Sequence, residues 1–593
     1  MSTQLSVTSL ASPVFDAKDW LVVALFCVAL IAIIAYAVRV KARSGADYFL
    51  ASRDSNWVQI GTSIFSSNIG SEHLVGLAGA GFASGMAMAH WEMHAWLILV
   101  LGWVFVPLYA RIKVFTMPEF LELRFSRGSR NVLSLLTIAS LVLTKIAVTI
   151  YAGDVVVRTL LGIDSVSLLG LRVDVFWVIA LGLALTTGLY TVLGGLRVIM
   201  YTAVLQAPVL IAGSLCILYA GLQALGHGSP TAGWHAMLTA VGLNVHLIRP
   251  FADPDWSWAA VLPGSAIIGF WYWCTDQYIV QRVLAGKNER ESRRGAILAA
   301  FLKLTPVFIF LVPGMIAFAL MRMPESSFRT DGDAAYTSLV AQILPHGLRG
   351  MVACSMIVAL MASLASKFNA AATLVTMDFF RERYPNASGR MEVLVGRTAT
   401  AAIVVMGICW VLAIKSLHSD LYVYLQSVQG YLSPAIAALF LLGVFWRRAT
   451  APAALWAFVI GVVGGFARLA ADLVMRDEGT VITHLKQQLY QHAISSEQYA
   501  AAIAPIRARH GLIFNFWNIH WLYYTQILFG VTVGLVILLS LMTPAPGADR
   551  MRFTWYGASL AERCATRDSW GAADVVLSLI VLGAVLLFYA AFW

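Results

Sequence analysis

Two residues in an apolar run of the second half of the chain have types and spacing that could do chemistry. The stretch LMASLASKFNAAAT, residues 360–373, carries Lys367 four positions after Ser363. Residues four apart share one face of a helix, and a charged side chain inside a membrane span is costly and marks function by default. A hydroxyl and an ammonium group on one helix face indicate ion chemistry at this position.

A second group of polar residues interrupts an earlier apolar run. The stretch GTSIFSSNIGSEHLVGLAGAG, residues 61–81, places Asn68, Glu72 and His73 among small residues. Close helix packing explains the small residues, but polar groups in hydrocarbon need partners. Solute sites of secondary transporters lie at mid-membrane, where helices are interrupted. We therefore predict unwinding at residues 68–70, and a similar interruption at the start of the span LPGSAIIGFWYWCTDQYIVQR, residues 262–282.

Membrane-spanning helices are the elements that must position these residues. The chain of 593 residues is 59% hydrophobic and only 12% charged, whereas soluble domains carry about 25% charged residues. Many apolar runs reach the roughly 20 residues that a spanning helix needs, and the alternating segments of about ten residues that build a membrane β-barrel are missing from the sequence. The predicted spans have approximate cores at 20–38, 57–79, 86–110, 132–160, 174–193, 198–224, 258–281, 296–321, 340–379, 393–414, 420–446, 451–475, 521–542 and 572–592.

Basic residues fall in alternate loops between these spans. They cluster near 39–43, 111–127, 282–294, 381–390, 447–448 and 550–567. The positive-inside rule places such loops in the cytoplasm. The prediction is a multi-pass protein of the plasma (inner) membrane with both termini outside the cytoplasm. The same rule explains the net charge of +10, so nucleic-acid binding is not indicated.

The sequence motifs do not indicate other classes of protein function. None of the six cysteines forms a CxxC pair, so neither a disulfide framework nor a zinc site is indicated. The sequence offers no nucleophile–base set, metal cluster or phosphate loop. We therefore expect that the protein is not an enzyme and needs no cofactor.

The spacing of the interrupted spans indicates an internal repeat. Four spans separate the two interrupted ones, which predicts two repeats of five helices. The predicted boundaries are 1–56 for a leading helix and cytoplasmic loop, 57–224 for the first repeat, 225–257 for an outer loop, 258–446 for the second repeat, and 447–593 for three C-terminal helices with a long outer loop at 476–520.

Seven stretches carry a family resemblance. In chain order they are SIFSSNIGSEHLVGLAGAGFASG, GWVFVPLYARIKVFTMPEFLELRF, LYTVLGGLRVIMYTAVLQ, FWYWCTDQYIVQRVLAGKN, FLKLTPVFIFLVPGMI, LRGMVACSMIVALMASLASKFNAAATLVTMD and YLQSVQGYLSPAIAALFLLGVFWRR. In them the chain resembles the sodium/solute symporter family, in its sodium/glucose and sodium/myo-inositol cotransporter branch. The resemblance implies an all-α polytopic membrane protein of about 14 helices, with a five-plus-five inverted repeat as its core. It also implies alternating-access transport of a monosaccharide or polyol of the glucose, galactose or myo-inositol type.

The resemblance further implies a set of substrate-binding residues. They are Asn68, His73, Trp91, Glu92, Tyr272, Trp273, Lys303 and Gln426. Glu, Asn, Gln, His and Lys offer the donors and acceptors that sugar hydroxyls need, and Tyr272 can stack on a sugar ring and act as a gate together with Leu77 and Tyr422. Simpler interpretations stay open: Glu92 could pair with Lys303 between helices, His73 could be a satisfied core histidine, and Gln426 could bridge two helices.

The ion site that the resemblance implies is incomplete in this chain. Carbonyls of Ser66, Ile69 and Ala359 match the family pattern, but Ala362 stands beside Ser363 where the family has a pair of hydroxyls. One missing ligand costs about 1–3 kcal/mol. A water molecule filling that position would leave a fully sodium-coupled symporter.

Four substitutions near this site change its charge. Ala203 in YTAVLQ and Thr149 in TKIAVT replace acids that many relatives carry, and Lys367 and Arg197 stand where relatives carry neutral residues. We hypothesise that sodium binding is weakened or lost and that Lys367 serves as a tethered cation. A permanently charged Lys367 gives a facilitator, whereas a lysine whose pKa burial lowers gives proton coupling. Alternatively, Lys367 extends to the cytoplasmic interface and leaves the ion site untouched.

Transport is the leading interpretation, with a sugar sensor that binds but does not move its ligand as the alternative. No signalling domain is appended, since the stretch 544–570 is too short for one. The triplet SEH leans toward the inositol-type relatives, but the sequence identifies neither the sugar nor the oligomeric state.

Overall fold

The helices of this protein are described by a computed structural model. It covers residues 15–168, 171–414 and 421–593, with side chains for all of these except 168, 171, 411–414 and 421–425. The first helices are α1 (Ala17–Val38), α2 (Gly45–Phe49), α3 (Trp57–Asn68), α4 (Ala78–Ser84), α5 (Ala89–Glu92), α6 (Ala95–Val100), α7 (Val106–Ile112), α8 (Met117–Arg124), α9 (Arg127–Ser140), α10 (Ala147–Leu161), α11 (Val175–Leu225), α12 (Pro230–Val241), α13 (Trp258–Cys274) and α14 (Gln277–Leu284). The later helices are α15 (Glu289–Leu302), α16 (Val312–Arg322), α17 (Ala335–Ile343), α18 (Leu348–Leu374), α19 (Arg381–Arg383), α20 (Gly389–Ile414), α21 (Leu421–Phe445), α22 (Ala451–Val474), α23 (Arg476–Tyr490), α24 (Ser496–His510), α25 (Leu512–Trp517), α26 (Trp521–Met542), α27 (Ala548–Met551), α28 (Leu560–Asp568) and α29 (Ala572–Ala591).

Short elements of other types connect the helices. Turns of π-helix occupy Glu72–Leu77, Leu101–Phe105, Leu141–Ile146, Val307–Leu311 and Val375–Phe380, and 3₁₀ turns occupy Ala51–Arg53, Gly85–Met88, Gly242–Val245 and Trp555–Gly557. Strands β1 (Ser165–Leu168) and β2 (Leu171–Asp174) form an antiparallel hairpin in which Ser165 faces Asp174.

Helix length and composition agree with a membrane protein. Within the described ranges, eleven helices, counted with the π turns that continue them, are long and apolar enough to cross a bilayer. One of them, α11, has 51 residues and is therefore about 76 Å long at 1.5 Å per residue, more than twice the hydrocarbon thickness of about 30 Å. It contains the two predicted spans 174–193 and 198–224. The total of fourteen spans stays a prediction.

A sharp bend at Gly195 divides α11. This residue has φ 56° and ψ −146°, a conformation that residues with a Cβ rarely adopt. A Cβ there would also lie 2.3 Å from the carbonyl oxygen of Tyr48. The bend is therefore fixed by glycine and by close packing against α2.

The first predicted interruption is confirmed. Helix α3 ends at Asn68, Ile69 is extended with ψ 116°, and the chain resumes as the π turn Glu72–Leu77. Gly70 allows α18 to approach, because a Cβ on it would lie 2.6 Å from the Ser363 hydroxyl oxygen.

The second interruption was predicted at the wrong place. It does not open the span at Leu262 but lies at residues 275–276, between α13 and α14. Thr275 leaves the helical conformation and Asp276, at ψ 128°, becomes the N-cap of α14. The Asp276 carboxylate makes no capping hydrogen bond to α14 and pairs with Lys145 instead. The helix is therefore broken here without a glycine, a proline or a side-chain cap.

The two breaks face one another at the centre of the bundle. Helix α3 packs against α15, α11 and α18, and α18 also packs against α10. On the other side α21 contacts both α13 and the π turn that follows the first break. This packing surrounds the breaks with side chains from five helices.

The two outer loops predicted at 225–257 and 476–520 contain helices α12 and α23 to α25. They contact each other, since the Gln487 side-chain amide donates a hydrogen bond of 2.9 Å to Asp255.

Candidate functional site

A small cavity of about 30 Å³ lies between the two helix breaks. Its lining residues are Asn68, Glu72, His73, Trp91, Glu92, His94, Ile268, Gly269, Tyr272, Trp273, Lys303, Gln426 and Gln429. All eight residues predicted to bind substrate are among them, although they come from α3, the π turn, α5, α13, the end of α15 and α21. This volume holds about two water molecules and is far below the roughly 300–1,000 Å³ of small-molecule pockets, so the structure describes a conformation closed around these side chains.

A chain of hydrogen bonds crosses the cavity wall. The Lys303 ammonium donates to Glu92 Oε2 at 2.5 Å and to Asn68 Oδ1 at 3.1 Å. The Asn68 amide in turn donates to Tyr272 Oη at 2.8 Å. Glu92 therefore does pair with Lys303 between helices, and this pair is itself part of the cavity wall.

Several buried polar atoms of the lining have no hydrogen-bond partner within the described residues. They are Trp91 Nε1, Glu92 Oε1, His94 Nε2, Gln426 Oε1, Gln429 Nε2 and both ring nitrogens of His73. His73 Nε2 lies 3.4 Å from Glu92 Oε1 without hydrogen-bond geometry. Each such atom costs about 1–3 kcal/mol when left unpaired. The Glu92 carboxylate is thus the polar neighbour of His73, so the interpretation of His73 as a core histidine stays open beside its proposed role in binding. The cavity presents donors and acceptors that a solute can meet.

The aromatic side chains divide into two groups around the cavity. On one side the Trp91 indole stacks on Trp521, with ring centroids 6.0 Å apart, and meets Trp256 edge-on at 6.4 Å. On the other side Tyr278 donates a hydrogen bond to the hydroxyl of Tyr272. These two groups flank the cavity.

A buried ion pair lies beside Tyr272 at the second break. Lys145 contacts Asp276 at 2.7 Å, and both side chains are 2% exposed. The Lys145 ammonium also lies over the rings of Tyr272 and Tyr278, at 5.2 and 4.5 Å from their centroids. The ion pair thus joins α10, the second break and the aromatic side chain predicted to be a gate.

The other two predicted gate residues are placed differently. Leu77 is fully buried on the π turn but does not line the cavity. Tyr422 lies outside the residues whose side chains the structure describes.

The predicted ion-site residues lie where α18 meets the first break. The Ser363 hydroxyl packs against Gly70, and Ser67 and Ser366 share a hydrogen bond of 2.8 Å. The other predicted members, Ser66, Ile69, Ala359 and Ala362, are all buried. The hydroxyl of Ser66 has no hydrogen-bond partner among the described residues.

Lys367 is buried next to this contact. Its side chain is 1% exposed, and its ammonium donates to Thr149 Oγ1 at 2.8 Å and to the carbonyl of Lys145 at 3.4 Å. Glu72 Oε1 lies 4.0 Å away. The alternative that Lys367 reaches the membrane interface is therefore wrong.

The two remaining predicted neighbours of the ion site, Ala203 and Arg197, lie in different surroundings in the structure. Ala203 is buried on α11. Arg197 instead donates a hydrogen bond of 3.0 Å to Ser52 near α2, so it takes no part in the contacts of Lys367.

Sequence reasoning missed three polar residues of the lining, besides Ile268 and Gly269. Gln429 follows Gln426 by three positions, so helical spacing alone could have found it. Glu72 and His94 adjoin predicted residues, Glu72 directly and His94 two positions after Glu92, but their orientation toward the cavity is set by the π turn and by the short helix α5.

Comparisons with known proteins identify relatives. The Sodium:solute symporter family matches residues 48–461. The sodium/myo-inositol cotransporter of Canis lupus familiaris is 36% identical over 599 residues, covering 94% of this chain and 78% of that protein. Sodium/myo-inositol cotransporter 2 of Oryctolagus cuniculus is 34% identical, covering 88% and 76%. Sodium/glucose cotransporter 4 of Danio rerio is 32% identical, covering 94% and 83%.

A solved structure agrees with the predicted all-α membrane fold. A Na⁺-coupled sialic acid symporter in a substrate-bound outward-open state superposes with a TM-score of 0.68, at 17% identity, over 90% of this chain and 99% of that one. At this identity the likeness concerns the fold alone. From the match over residues 48–461 and the identity to full-length relatives, the chain belongs to the sodium:solute symporter family.

Proposed function

We propose that this protein is an alternating-access transporter of a small polyhydroxylated solute, a monosaccharide or polyol of the glucose, galactose or myo-inositol class. The observation that carries the proposal is the set of unpaired donors and acceptors around one small cavity between the two helix breaks. A hydroxyl group both donates and accepts hydrogen bonds. A ring of hydroxyls can therefore pair with carboxylate, amide, imidazole and indole atoms together, which an apolar or singly charged solute cannot do.

The substrate classes named by the relatives support the same proposal. They are called sodium/myo-inositol and sodium/glucose cotransporters. In this chain the proposed binding residues are the eight predicted ones, with Glu72, His94 and Gln429 added. The pair of Glu92 and Lys303, held by Asn68, would orient the solute, and Tyr272 would cover its face toward the second break.

We further propose how access alternates. The second break, with Tyr272, Tyr278 and the pair of Lys145 and Asp276, would close the cytoplasmic side. The stacked rings of Trp91 and Trp521 would close the outer side. Broken helices at mid-membrane suit this task because they can tilt on one side of the site only. The orientation in the plasma (inner) membrane, with both termini outside, is part of this proposal and rests on the distribution of basic loops.

Sodium coupling is proposed to be weak or replaced by Lys367. Three acid–base pairs lie in or beside the cavity, namely Glu92 with Lys303, Asp276 with Lys145 and Glu72 with Lys367. These pairs balance without a dissolved ion, so a sodium ion would add uncompensated charge. At a separation of about 8 Å and an effective dielectric near 20, one ammonium opposes sodium by about 2 kcal/mol, or about thirtyfold in affinity.

Uptake into proteoliposomes tests these proposals. Purified protein would be offered labelled myo-inositol, glucose and galactose with sodium or with choline as the cation. We expect uptake of at least one of them in both salts, and a loss of uptake in Glu92→Gln. Binding without uptake would support the sensor alternative, whereas uptake that requires sodium would support a fully coupled symporter. The pH profile of Lys367→Ala then separates the facilitator from the proton-coupled version.

A further inference from the structure

We infer that Ser71, Glu72, Thr149 and the carbonyl of Lys145 form a monovalent-cation cage that the Lys367 ammonium fills. The cage lies apart from the ion site implied by the family resemblance, which uses residues of α3 and of α18 around Ser363. Here the oxygens come from the segment after the first break and from α10 with the π turn that precedes it. That Glu72 also connects this cage with bound solute rests on the proposed function.

The Lys367 ammonium makes one short hydrogen bond and two longer contacts with oxygen atoms. An ammonium group has three N–H donors, and three oxygens surround that of Lys367: Thr149 Oγ1 at 2.8 Å, the Lys145 carbonyl at 3.4 Å and Glu72 Oε1 at 4.0 Å. The Thr149 hydroxyl donates its own proton to the Lys145 carbonyl at 2.7 Å. Its lone pairs are therefore free to face the ammonium.

A fourth oxygen adjoins the cage through Thr149. The hydroxyl oxygen of Ser71 lies 3.4 Å from that of Thr149 and is fully buried. Carboxylate, carbonyl and hydroxyl oxygens are the ligands that hard cations take. The set thus offers two hydroxyls, one carbonyl and one carboxylate, and this composition suits a single positive charge.

The charges around the cage support a monovalent occupant. The other titratable groups packed against it are Lys145 and Asp276, which neutralise each other at 2.7 Å, and Lys303, which is paired with Glu92. Glu72 is therefore the one carboxylate left for Lys367 in this cluster. If the ammonium is removed, an uncompensated and buried negative charge remains.

Glu72 joins the cage to the solute cavity. It contributes to the cavity lining and also faces the Lys367 ammonium. A cation held in the cage fixes the position and charge of this carboxylate, so cation binding and solute binding must influence each other by the same factor. In the natural chain the tethered ammonium fixes Glu72 permanently.

The cage can be tested by exchanging its occupant. Lys367→Ala removes the ammonium and leaves space beside Glu72, whereas Lys367→Met removes the same charge but keeps most of the volume. Thermal unfolding of the detergent-solubilised full chain would be followed against sodium chloride, with choline chloride keeping the ionic strength constant. We expect the sodium concentration for half-maximal stabilisation to fall about tenfold or more in Lys367→Ala relative to the natural chain, because the space that the ammonium filled is open to the ion and one repelling unit charge is gone.

The controls identify the ligands. Lys367→Met should not gain this sodium response, and Lys367→Ala combined with Glu72→Gln should lose it. If Lys367→Ala does not fold, Lys367→Ser carries the same expectation and adds one hydroxyl oxygen. The inference is overturned if the folded alanine or serine variant responds to sodium like the natural chain, or if the methionine variant gains the same response.

A second titration tests the connection with solute. In Lys367→Ala, the affinity for myo-inositol or glucose should rise with sodium, and the Glu72→Gln double variant should show no such dependence. A solute affinity that ignores sodium while the cage binds it would refute the connection. A natural chain that binds no sugar would contradict the proposed function, and the sodium titration without sugar would still decide on the cage.

Discussion

The amide of Gln426 shows how single residues of the cavity can be tested. Its Oε1 is buried, has no hydrogen-bond partner among the described residues and belongs to the cavity lining. We predict that Gln426→Ala lowers solute affinity about tenfold, because one hydrogen bond of about 1–1.5 kcal/mol is lost, and leaves the melting temperature almost unchanged. Isothermal titration and thermal unfolding measure the two effects.

Gln206 provides the matched control for this prediction. It is a buried glutamine on α11 whose Oε1 is also unpaired in the described structure, but it does not line the cavity. Gln206→Ala should leave solute affinity unchanged. Equal losses in the two variants would show that Gln426 acts on folding rather than on binding.

The pair of Glu92 and Lys303 allows binding to be separated from stability. Removing one partner of a buried ion pair costs about 3–5 kcal/mol, because the other charge stays buried. We predict that Glu92→Gln lowers the melting temperature and abolishes uptake. Adding Lys303→Met should restore much of the melting temperature but none of the uptake. Recovery of uptake in the double variant would mean that neither side chain contacts the solute.

At the scale of single residues, the sequence predicts part of the site. The family resemblance identified eight residues that line one cavity and placed Thr149 and Lys367 near one ion site, but it did not indicate the contacts that Lys367 makes with Glu72 and Thr149. These contacts join residues more than 200 positions apart, and no helical spacing relates them. The polar types were visible in the sequence, whereas their partners depend on how α10 and α18 pack.

The two helix breaks show why some elements are predictable and others are not. Asn68 and Gly70 interrupt an apolar run, so the first break can be recognised from composition. The second lies at residues 275–276, where neither glycine nor proline marks it, and the Asp276 carboxylate pairs with Lys145 rather than capping α14. Asp276, an acid inside an apolar span, was the residue that could have indicated this break. The glycine-containing start of the span at Leu262 indicated the wrong position.

Close contact between α18 and the first break is expected to be essential. A Cβ on Gly70 would lie 2.6 Å from Ser363 Oγ and 2.8 Å from Ser363 Cβ. We predict that Gly70→Ala reduces uptake at least about tenfold by forcing the two elements apart. Because Ser363→Gly removes both clashing atoms, it should restore part of the uptake in the same chain.

A glycine in open surroundings is the control for this element. A Cβ on Gly530 of α26 would meet no atom within 4 Å, so Gly530→Ala should leave uptake unchanged. If Gly70→Ala transports normally, or if Ser363→Gly gives no recovery, the close contact does not limit the transport cycle.

For the whole molecule the open question is its orientation in the membrane. The segment between α26 and α29 carries Arg550, Arg552 and Arg563, so we propose that it lies in the cytoplasm. Cys564 on the same segment is exposed. A membrane-impermeant maleimide should therefore label it in inside-out vesicles but not in intact cells, and Cys564→Ser provides the background. Labelling in intact cells would reverse the proposed orientation.

The overall architecture was predictable because hydrocarbon imposes helices of a known length. The spans at 20–38 and 572–592 correspond closely to α1 and α29. The predicted boundary between the spans 174–193 and 198–224 coincides with Gly195, where the backbone leaves the helical conformation and bends α11. The apolar run 340–379 begins within the separate helix α17, which ends at Ile343 before α18 starts at Leu348.

Solute exchange tests the central claim most directly. Proteoliposomes loaded with unlabelled myo-inositol or glucose would take up the labelled compound by counterflow, in choline as well as in sodium. The account predicts rapid exchange by the natural chain and by Gln206→Ala, and none by Glu92→Gln. Exchange that Glu92→Gln leaves intact, or the absence of exchange for every sugar and polyol in either salt, would contradict a hydroxyl-binding cavity at the two breaks.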